Sequence, residues 1–306
     1  MHPAKSVILF TTLSGLGFGM MIMLGLGFGP ADPVAGPIAG LFALAASGAG
    51  LLASTFHLGN PQRFLKAFTQ VGTSWLSREG VVSVVLMTLF FAHCVLWFLN
   101  GAPTAILGYL SAALAVVAVC CTAMIYAQLK TVPRWSNAFT VPMFLGFSVA
   151  GGTIAMAIAI RAAGEETPLG LGVALLLASG AAYAYRRFSQ SITLSGAGHS
   201  PESATQLGDL GKVRLLEKPH SQPNYLMKEM VFSVGRKHAE KLGMVFVIFG
   251  LFAPIFLFIF MRDAAATLAI PGLLIALALH FTGALASRWL FFAEAEHVVG
   301  LYYGRR

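Results

Sequence analysis

The chain has 306 residues, of which 57% are hydrophobic and only 10% are charged, and its mean hydropathy is +0.77. Since a soluble domain carries roughly a quarter charged residues, water cannot be the main solvent of this protein. Apolar stretches recur along the chain, and each is long enough to cross a hydrocarbon layer of about 30 Å as a helix. The alternating strands of an outer-membrane barrel are not seen. Composition therefore predicts an all-α, polytopic integral membrane protein.

Hydropathy and the positions of proline and glycine predict eight transmembrane helices in a bundle, which form a single membrane domain over 1–306. The predicted spans lie near 7–28, 37–57, 80–99, 104–128, 139–161, 168–185, 242–261 and 268–291. The first stretch could pass for a signal peptide, but it is longer than a usual signal core, so we expect it to be the first span. Its glycines, at 15, 17, 19, 25 and 27, indicate close helix packing and not a nucleotide loop, because no strand precedes them.

The positive charge is strongly asymmetric. Eight crossings place both termini and the second, fourth and sixth connections on one side, which we call the basic face. This face holds 18 of the 20 Lys and Arg residues, namely Lys5, Arg63, Lys66, Arg78, Lys130, Arg134, Arg186, Arg187, Lys212, Arg214, Lys218, Lys228, Arg236, Lys237, Lys241, Arg288, Arg305 and Arg306. The positive-inside rule then predicts that the basic face, with its loops at 58–79 and 186–241, is cytoplasmic. Docking of an acidic partner or of anionic lipid heads would explain the same charge, and the two explanations are compatible.

Two polar residues at the basic face suggest chemistry. His57 ends the second span, and Glu79 opens the third at the same expected depth. Position alone favours a histidine with its polar tip among the headgroups, and the helix macrodipole by itself explains a carboxylate in a first turn. An imidazole and a carboxylate on adjacent spans would also form a proton-exchanging pair for a redox carrier. The sequence leaves the two interpretations nearly balanced.

The sequence predicts no metal site. Cys94, Cys120 and Cys121 lie in apolar segments without C-x-x-C spacing, so we expect buried thiols. His93 and His280 lie within spans, but their expected depths match poorly for ligands of one haem iron. We therefore expect both to be hydrogen-bonded histidines inside the membrane.

Further charged and aromatic residues lie at the ends of later spans on the basic face. An aromatic belt at the membrane surface explains Trp135 without a function. Arg288 and Glu294 are too far apart for a helical ion pair at i, i+4, so we expect each to have partners elsewhere in the chain.

Three motifs carry a resemblance to a known family. They are FHLGNPQR at 56–63, SWLSRE at 74–79 and TVPRW at 131–135. Together with the eight-span plan they resemble the membrane anchor family of dimethyl sulfoxide reductase, and most of all the membrane subunit of the quinone-reducing sulfite dehydrogenases.

The resemblance implies an anchor that has no metal centre and no catalytic residue of its own. It would hold a molybdenum catalytic subunit and an iron–sulfur electron-transfer subunit, exchange electrons with quinone, and lie in the bacterial cytoplasmic membrane. The charge asymmetry predicts that both termini are cytoplasmic. Molybdenum cofactor and iron–sulfur clusters would belong to the partners, no haem is expected, and beyond these subunits only membrane lipid, not nucleic acid, is expected as a partner.

The resemblance also assigns residues. His57 and Glu79 map onto the family's quinol-binding positions, and Trp75, Arg63 and Arg78 would complete the quinone site. The docking residues expected for the partners are Arg63, Lys66, Lys130, Arg134 and Trp135.

The last expectation concerns the reaction of the complex that this anchor would serve. In the sulfite dehydrogenases the soluble subunits stay in the cytoplasm, whereas in the sulfoxide reductase they are exported. A cytoplasmic basic face therefore favours sulfite oxidation. An anchor of a dimethyl sulfoxide, polysulfide or tetrathionate reductase, working in the opposite direction, is the alternative of the same class. A secondary transporter is the alternative of a different class, but it predicts inverted repeats and charged helix centres, which the sequence does not display.

Overall fold

The computed structural model of the protein describes residues 4–56, 61–217 and 238–303, without the side chains of residues 61, 63 and 64. Within these ranges every regular element is helical, and eight helices are long and apolar enough to cross a membrane. They are Lys5–Gly25 (α1), Ala35–Thr55 (α2), Trp75–Asn100 (α3), Ala105–Ala127 (α4), Thr140–Ala162 (α5), Leu169–Ser191 (α6), Ala239–Arg262 (α8) and Ala266–Ala293 (α9). The predicted all-α membrane bundle is confirmed.

The helix ends differ from the predicted spans in two places that matter. The third helix begins at Trp75 and not near 80, so Glu79 lies inside its first turns. The sixth helix continues to Ser191, about two turns beyond the expected end near 185. In both places an amphipathic or polar stretch continues the helix past the apolar run that hydropathy detects, because backbone hydrogen bonding does not stop at the edge of the apolar segment.

Between the membrane helices the basic face carries short helical pieces. A 3₁₀ segment at Pro61–Phe68 precedes α3. A short helix at Pro201–Thr205 (α7) and a 3₁₀ turn at Gly208–Leu210 follow α6. A final 3₁₀ segment at Val298–Tyr303 follows α9. Residues 218–237 of the predicted loop at 186–241 lie outside the described ranges.

The first helix occupies the centre of the bundle, where it contacts α2, α4, α5 and α9. Its glycines allow these contacts, as the sequence predicts. A Cβ at Gly19 would overlap the backbone carbonyl of Ser148 on α5, and a Cβ at Gly25 would overlap the backbone of Gly108 on α4. Lipid tails are as apolar as leucine, so helices in a membrane associate mainly through such close backbone packing.

The outer surface of the bundle is apolar. Large side chains with at least half of their surface exposed include Phe42 and Leu52 on α2, Leu99 on α3, Leu177 on α6 and Phe256 on α8. In water, an exposed surface of this kind would drive aggregation. In a bilayer it is the surface that contacts lipid, so the exposure pattern agrees with the predicted membrane location.

The face opposite the basic face is held by contacts among three of its four connections. The Glu165 carboxylate accepts hydrogen bonds from the backbone N–H groups of Ala31, at 3.0 Å, and Asp32, at 3.2 Å. Arg161 donates to the backbone oxygen of Glu165, at 3.2 Å, and to that of Ala264. These bonds join the α1–α2, α5–α6 and α8–α9 connections, as expected if successive helices alternate in direction.

Asp32 fixes the start of α2 on that same face. Its Oδ1 accepts hydrogen bonds from the backbone N–H groups of Val34 and Ala35, at 2.9 and 2.7 Å. These donors stabilise the ionised carboxylate, so they lower the pKa of Asp32 below its ordinary value. The side chain therefore serves as a local cap for an otherwise uncharged helix start.

The packing of α1 against α5 yields a stability prediction. Gly19→Ala places a methyl group against the Ser148 backbone, so the helices must separate, and overpacking of this kind costs about 1–3 kcal/mol. We expect a lower midpoint of thermal unfolding in detergent. Gly180→Ala on α6 is the matched control, because a Cβ there meets nothing within 4 Å. Equal midpoints for the two variants would contradict the described packing.

Candidate functional site

Glu79 lies in the second turn of α3, near the basic face. The helix begins after Ser74, whose hydroxyl oxygen accepts a hydrogen bond from the backbone N–H of Ser77 at 3.4 Å and so caps the helix. Only 2% of the surface of Glu79 is exposed, and in the described ranges it is the only buried acidic residue. An isolated carboxylate is costly at such a position, so its immediate partners determine what it can do.

The hydrogen-bond partner of Glu79 comes from the neighbouring helix. Thr122 of α4 donates its hydroxyl hydrogen to Glu79 Oε1, and Thr122 is itself 4% exposed. Cys121 and Tyr126, also on α4, lie within electrostatic range of the carboxylate. The candidate site is therefore built on the α3–α4 pair. Thr122 is absent from the residues predicted from sequence, because no local pattern indicates which threonine of another helix will face a given carboxylate.

The loop before α3 folds back onto the first turn of the helix. Arg78 donates through Nε to the backbone oxygen of Val71, at 2.8 Å, and through Nη2 to that of Gly72, at 2.7 Å. Its guanidinium group also lies over the ring of Trp75, 4.3 Å from the centroid. The structure thus brings the predicted residues Trp75 and Arg78 together, in contacts that hold the loop on α3.

Two further contacts hold this loop against α3. The backbone N–H of Gln70 donates to the hydroxyl oxygen of Ser77, at 3.1 Å. The ring of Phe68, at the end of the 3₁₀ segment, packs against Gly80, the residue after Glu79. The loop is therefore held against the first turns of α3, beside the residue that carries the buried carboxylate.

The other predicted partner cannot be placed. His57 lies outside the described residues, and so does the side chain of Arg63. The described chain stops at Phe56 after α2 and resumes at Pro61, where the 3₁₀ segment begins. The proximity of His57 to Glu79 therefore stays a prediction.

The two histidines within spans differ from each other. His280 of α9 is hydrogen-bonded, as expected: Nδ1 lies 2.9 Å from the carbonyl oxygen of Gly250, and Nε2 lies 3.2 Å from that of Phe147. Gly250 belongs to a π-helical turn in α8, Ile248–Phe252. The residue four positions later is Pro254, which has no backbone N–H and cannot donate to the Gly250 carbonyl. The histidine thus lies against an acceptor that the proline leaves without its usual helical donor.

His93 contradicts the expectation of a hydrogen-bonded ring. It is 1% exposed, and neither ring nitrogen has a hydrogen-bond partner among the described residues. Its ring lies between Phe90 and Trp97, with centroid distances of 6.0 and 5.7 Å. His93 is therefore an aromatic packing residue of α3. Across the described ranges no group of three or more His, Cys, Asp or Glu residues is arranged to hold a metal ion.

Comparison with known proteins gives these features a family context. Residues 1–304 match the family described as DMSO reductase anchor subunit (DmsC). The chain belongs to this family. The match covers nearly the whole chain, so the resemblance expected from the three motifs is confirmed.

Two curated members are similar to this anchor. One is a subunit of the sulfite dehydrogenase of Allochromatium vinosum, which is 32% identical over 331 residues that cover 99% of each chain. The other is the anaerobic dimethyl sulfoxide reductase chain YnfH of Escherichia coli K12, which is 33% identical over 168 residues, or 51% of this chain and 57% of that one. This chain is therefore a membrane anchor subunit of the DMSO reductase family.

The predicted docking residues of the anchor differ in how far they are exposed. Lys66 and Lys130 are exposed at the basic face, where a partner could reach them. Trp135 is corrected by the structure: only 3% of it is exposed, its Nε1–H donates to the backbone oxygen of Phe291 at 2.7 Å, and its ring stacks on the Phe291 ring. Trp135 supports the α4–α5 connection from inside and offers no surface to a partner.

Arg134, the fifth predicted docking residue, takes part in a charged cluster with Glu294 and Arg186. The Glu294 carboxylate lies 2.6 Å from Arg186 Nη1 and 3.5 Å from Arg134 Nη1. The three residues come from the end of α9, from α6 and from the α4–α5 connection, so they join three segments of the basic face. Partners for Glu294 elsewhere in the chain are confirmed.

Arg288 also has partners elsewhere, but they are not carboxylates. The side chain is 2% exposed, its guanidinium carbon lies 3.6 Å from the centroid of the Phe144 ring, and Nη1 lies 3.1 Å from the sulfur of Met143. A cation over an aromatic face regains part of the solvation that it loses on burial. The position of Arg288 near the end of α9 agrees with its expected location at the basic face, but its charge lies inside the bundle.

The Glu294 cluster gives a second stability prediction. Glu294→Gln removes the charge that joins Arg186 and Arg134, and since hydrogen bonds to charged groups contribute about 1.5–3 kcal/mol each, we expect the unfolding free energy to fall by about 2 kcal/mol. Thermal unfolding in detergent measures it, with Glu166→Gln on the opposite face as the control. A midpoint for Glu294→Gln equal to that of this control would mean that the cluster adds nothing to stability.

Proposed function

We propose that the chain is the quinone-binding membrane anchor of a molybdenum- and iron–sulfur-containing sulfite:quinone oxidoreductase. The observation that carries the proposal is the buried Glu79 at the basic face of a chain that is similar, over 99% of its length, to a subunit of a sulfite dehydrogenase. The partner subunits would supply the electrons, and the anchor would supply the place where quinone receives them together with protons.

The surroundings of Glu79 fit this chemistry. Reduction of a quinone to quinol takes two electrons and two protons, so the site needs a group that can hold a proton close to the ring oxygen. Only 2% of the surface of Glu79 is exposed, and its one described side-chain hydrogen bond comes from a neutral hydroxyl. A carboxyl group in such surroundings can carry either a proton or a charge, which is the property required of a proton donor.

His57, Arg63 and Trp75 complete the proposed quinone site. His57 would face a quinone oxygen as a hydrogen-bond donor or acceptor, and Arg63 would add a positive charge at the edge of the membrane. Arg78 and Trp75 contribute by fixing the loop, as their cation–π contact and backbone bonds support.

The partners would dock on the basic face. Lys66 and Lys130 are exposed there. The location of 18 of the 20 Lys and Arg residues on this face supports an anchor in the bacterial inner membrane whose basic face is turned to the cytoplasm. Docking of the iron–sulfur and molybdenum subunits on that side places sulfite oxidation in the cytoplasm. Positively charged loops would meet carboxylates of the iron–sulfur subunit.

The similarity to YnfH supports a second candidate, an anchor that oxidises quinol for a dimethyl sulfoxide reductase. That similarity covers only about half of each chain, whereas the similarity to the sulfite dehydrogenase protein covers nearly all of both. A secondary transporter has no support in the family to which the chain belongs.

Topology provides the first functional prediction. A periplasm-active reporter fused after the last residue is expected to stay inactive, because the basic face is cytoplasmic. A fusion to Gly164, in the α5–α6 connection of the opposite face, is expected to be active. High activity of the C-terminal fusion together with an inactive Gly164 fusion would reverse the orientation and favour the reductase alternative.

The proposed quinone site provides the second functional prediction. In the assembled complex, His57→Ala and Glu79→Gln are each expected to lower sulfite-dependent quinone reduction about 100-fold, the order of magnitude of a lost general acid. Reduction of a soluble dye by the partner subunits is expected to stay unchanged, since it bypasses the anchor. Full quinone reduction in both variants would remove the assigned site.

A further inference from the structure

The hydroxyl group of Thr122 faces two acceptors. One is Oε1 of Glu79, and the other is the backbone carbonyl oxygen of Ala118, one turn earlier on α4, at 3.1 Å. A hydroxyl has one hydrogen, so it can donate to only one of these oxygens at a time, while its own oxygen can still accept. The arrangement therefore has two states.

The state of Thr122 depends on whether Glu79 carries a proton. When Glu79 is ionised, Thr122 donates its hydrogen to the carboxylate. When Glu79 is protonated, the acid O–H can donate to the oxygen of Thr122, and Thr122 can turn its hydrogen to the carbonyl of Ala118. In both states each O–H has an acceptor, which a buried polar group requires.

The change between the states moves no heavy atom. The carbonyl of Ala118 is fixed by the regular hydrogen bonding of α4, and back-bonding of threonine to the carbonyl four residues earlier is common in helices. Rotation of one hydroxyl hydrogen is enough to follow a proton onto or off the carboxyl group. Such preorganisation keeps the proton-exchanging group in place during turnover.

We propose that Thr122 is the positioning residue of Glu79, which lets the carboxyl group gain and lose a proton inside the bundle without changing its position. The proposal rests on the proposed function of Glu79 in quinone reduction. If Thr122 served only to pack α3 against α4, its shape would matter and its hydroxyl would not.

The test separates shape from hydrogen bonding in the assembled complex. Thr122→Val keeps the branched shape and removes the hydroxyl, and we expect sulfite-dependent quinone reduction to fall about tenfold, which corresponds to the loss of one hydrogen bond. Thr122→Ser keeps the hydroxyl, and we expect it to retain most of the activity. The pH profile should change in the valine variant and stay unchanged in the serine variant.

A matched control is available on α1. Thr12 is also buried, and its hydroxyl donates to the carbonyl of Ile8 on its own helix, at 2.8 Å. Thr12→Val removes a buried hydroxyl at a distance from Glu79, so quinone reduction and its pH profile are expected to stay unchanged. Recovery of the partner subunits together with each purified variant anchor reports that the complex has assembled.

Infrared difference spectroscopy gives a readout independent of turnover. The band of the protonated carboxyl group is identified by its loss in Glu79→Gln, and in Thr122→Val it should move to higher frequency, because the hydrogen bond is lost. In Thr122→Ser the band should stay near its original position. An unshifted band in the valine variant, or a wild-type rate with an unchanged pH profile, overturns the proposal.

The outcomes distinguish the two levels of inference. A fully active Glu79→Gln variant would contradict the proposed function itself. An inactive Glu79→Gln variant beside a fully active Thr122→Val variant would contradict only the role of Thr122. If the valine variant fails to assemble, Thr122→Ser and Thr122→Ala decide, since the proposal requires serine to be the more active and equal rates overturn it.

Discussion

Close contact between α1 and its neighbours is the constraint on which the arrangement of the other helices depends. The backbones of Gly19 and Gly25 lie against α5 and α4, so these two helices are fixed on either side of the central helix. Because α3 packs on α4 and on α2, and both of these pack on α1, the contacts of α1 contribute to how α3 and α4 meet at Glu79. The hydrogen bond between Thr122 and Glu79 is in this sense a consequence of glycine packing on a different helix. Small residues within a membrane span thus position a polar site that they do not touch.

The two buried charged residues near the basic face, Glu79 and Arg288, have different chemical capacities. An arginine stays protonated in proteins, so Arg288 is a fixed cation, and the Phe144 ring beneath it offsets part of the cost of its burial. A carboxyl group can instead become neutral by taking up a proton. Tyr126 lies within electrostatic range of both groups. The arrangement keeps one permanent charge and one group that can become neutral on the same side of the bundle, as the proposed site of quinone reduction requires.

Hydropathy was sufficient to predict the eight spans, because the length of each apolar run is set by the thickness of the bilayer. The positions of Glu79 near a helix start and of Lys66 and Lys130 on an exposed face also follow from local sequence. The features that the local sequence did not predict depend on contacts between distant segments. Trp135 looks like an interfacial residue locally, but Phe291, 156 residues later, buries it. The packing of whole helices likewise determines the hydroxyl partner of Glu79, the aromatic environment of Arg288 and the α8 carbonyl that faces His280.

The depth of the candidate site connects these local features with the topology of the chain. Glu79 is four residues from the start of α3 and Thr122 is five residues from the end of α4, so at 1.5 Å per residue the pair lies roughly 6–8 Å inside the basic end of the bundle. In the proposed function protons would enter from the basic end, because the rest of the span separates the pair from the opposite face. The orientation of the helices would then determine the compartment that supplies the protons. Under the proposed function, the charge asymmetry of the loops and the burial of one carboxyl group would together determine the side of the membrane from which protons reach the site.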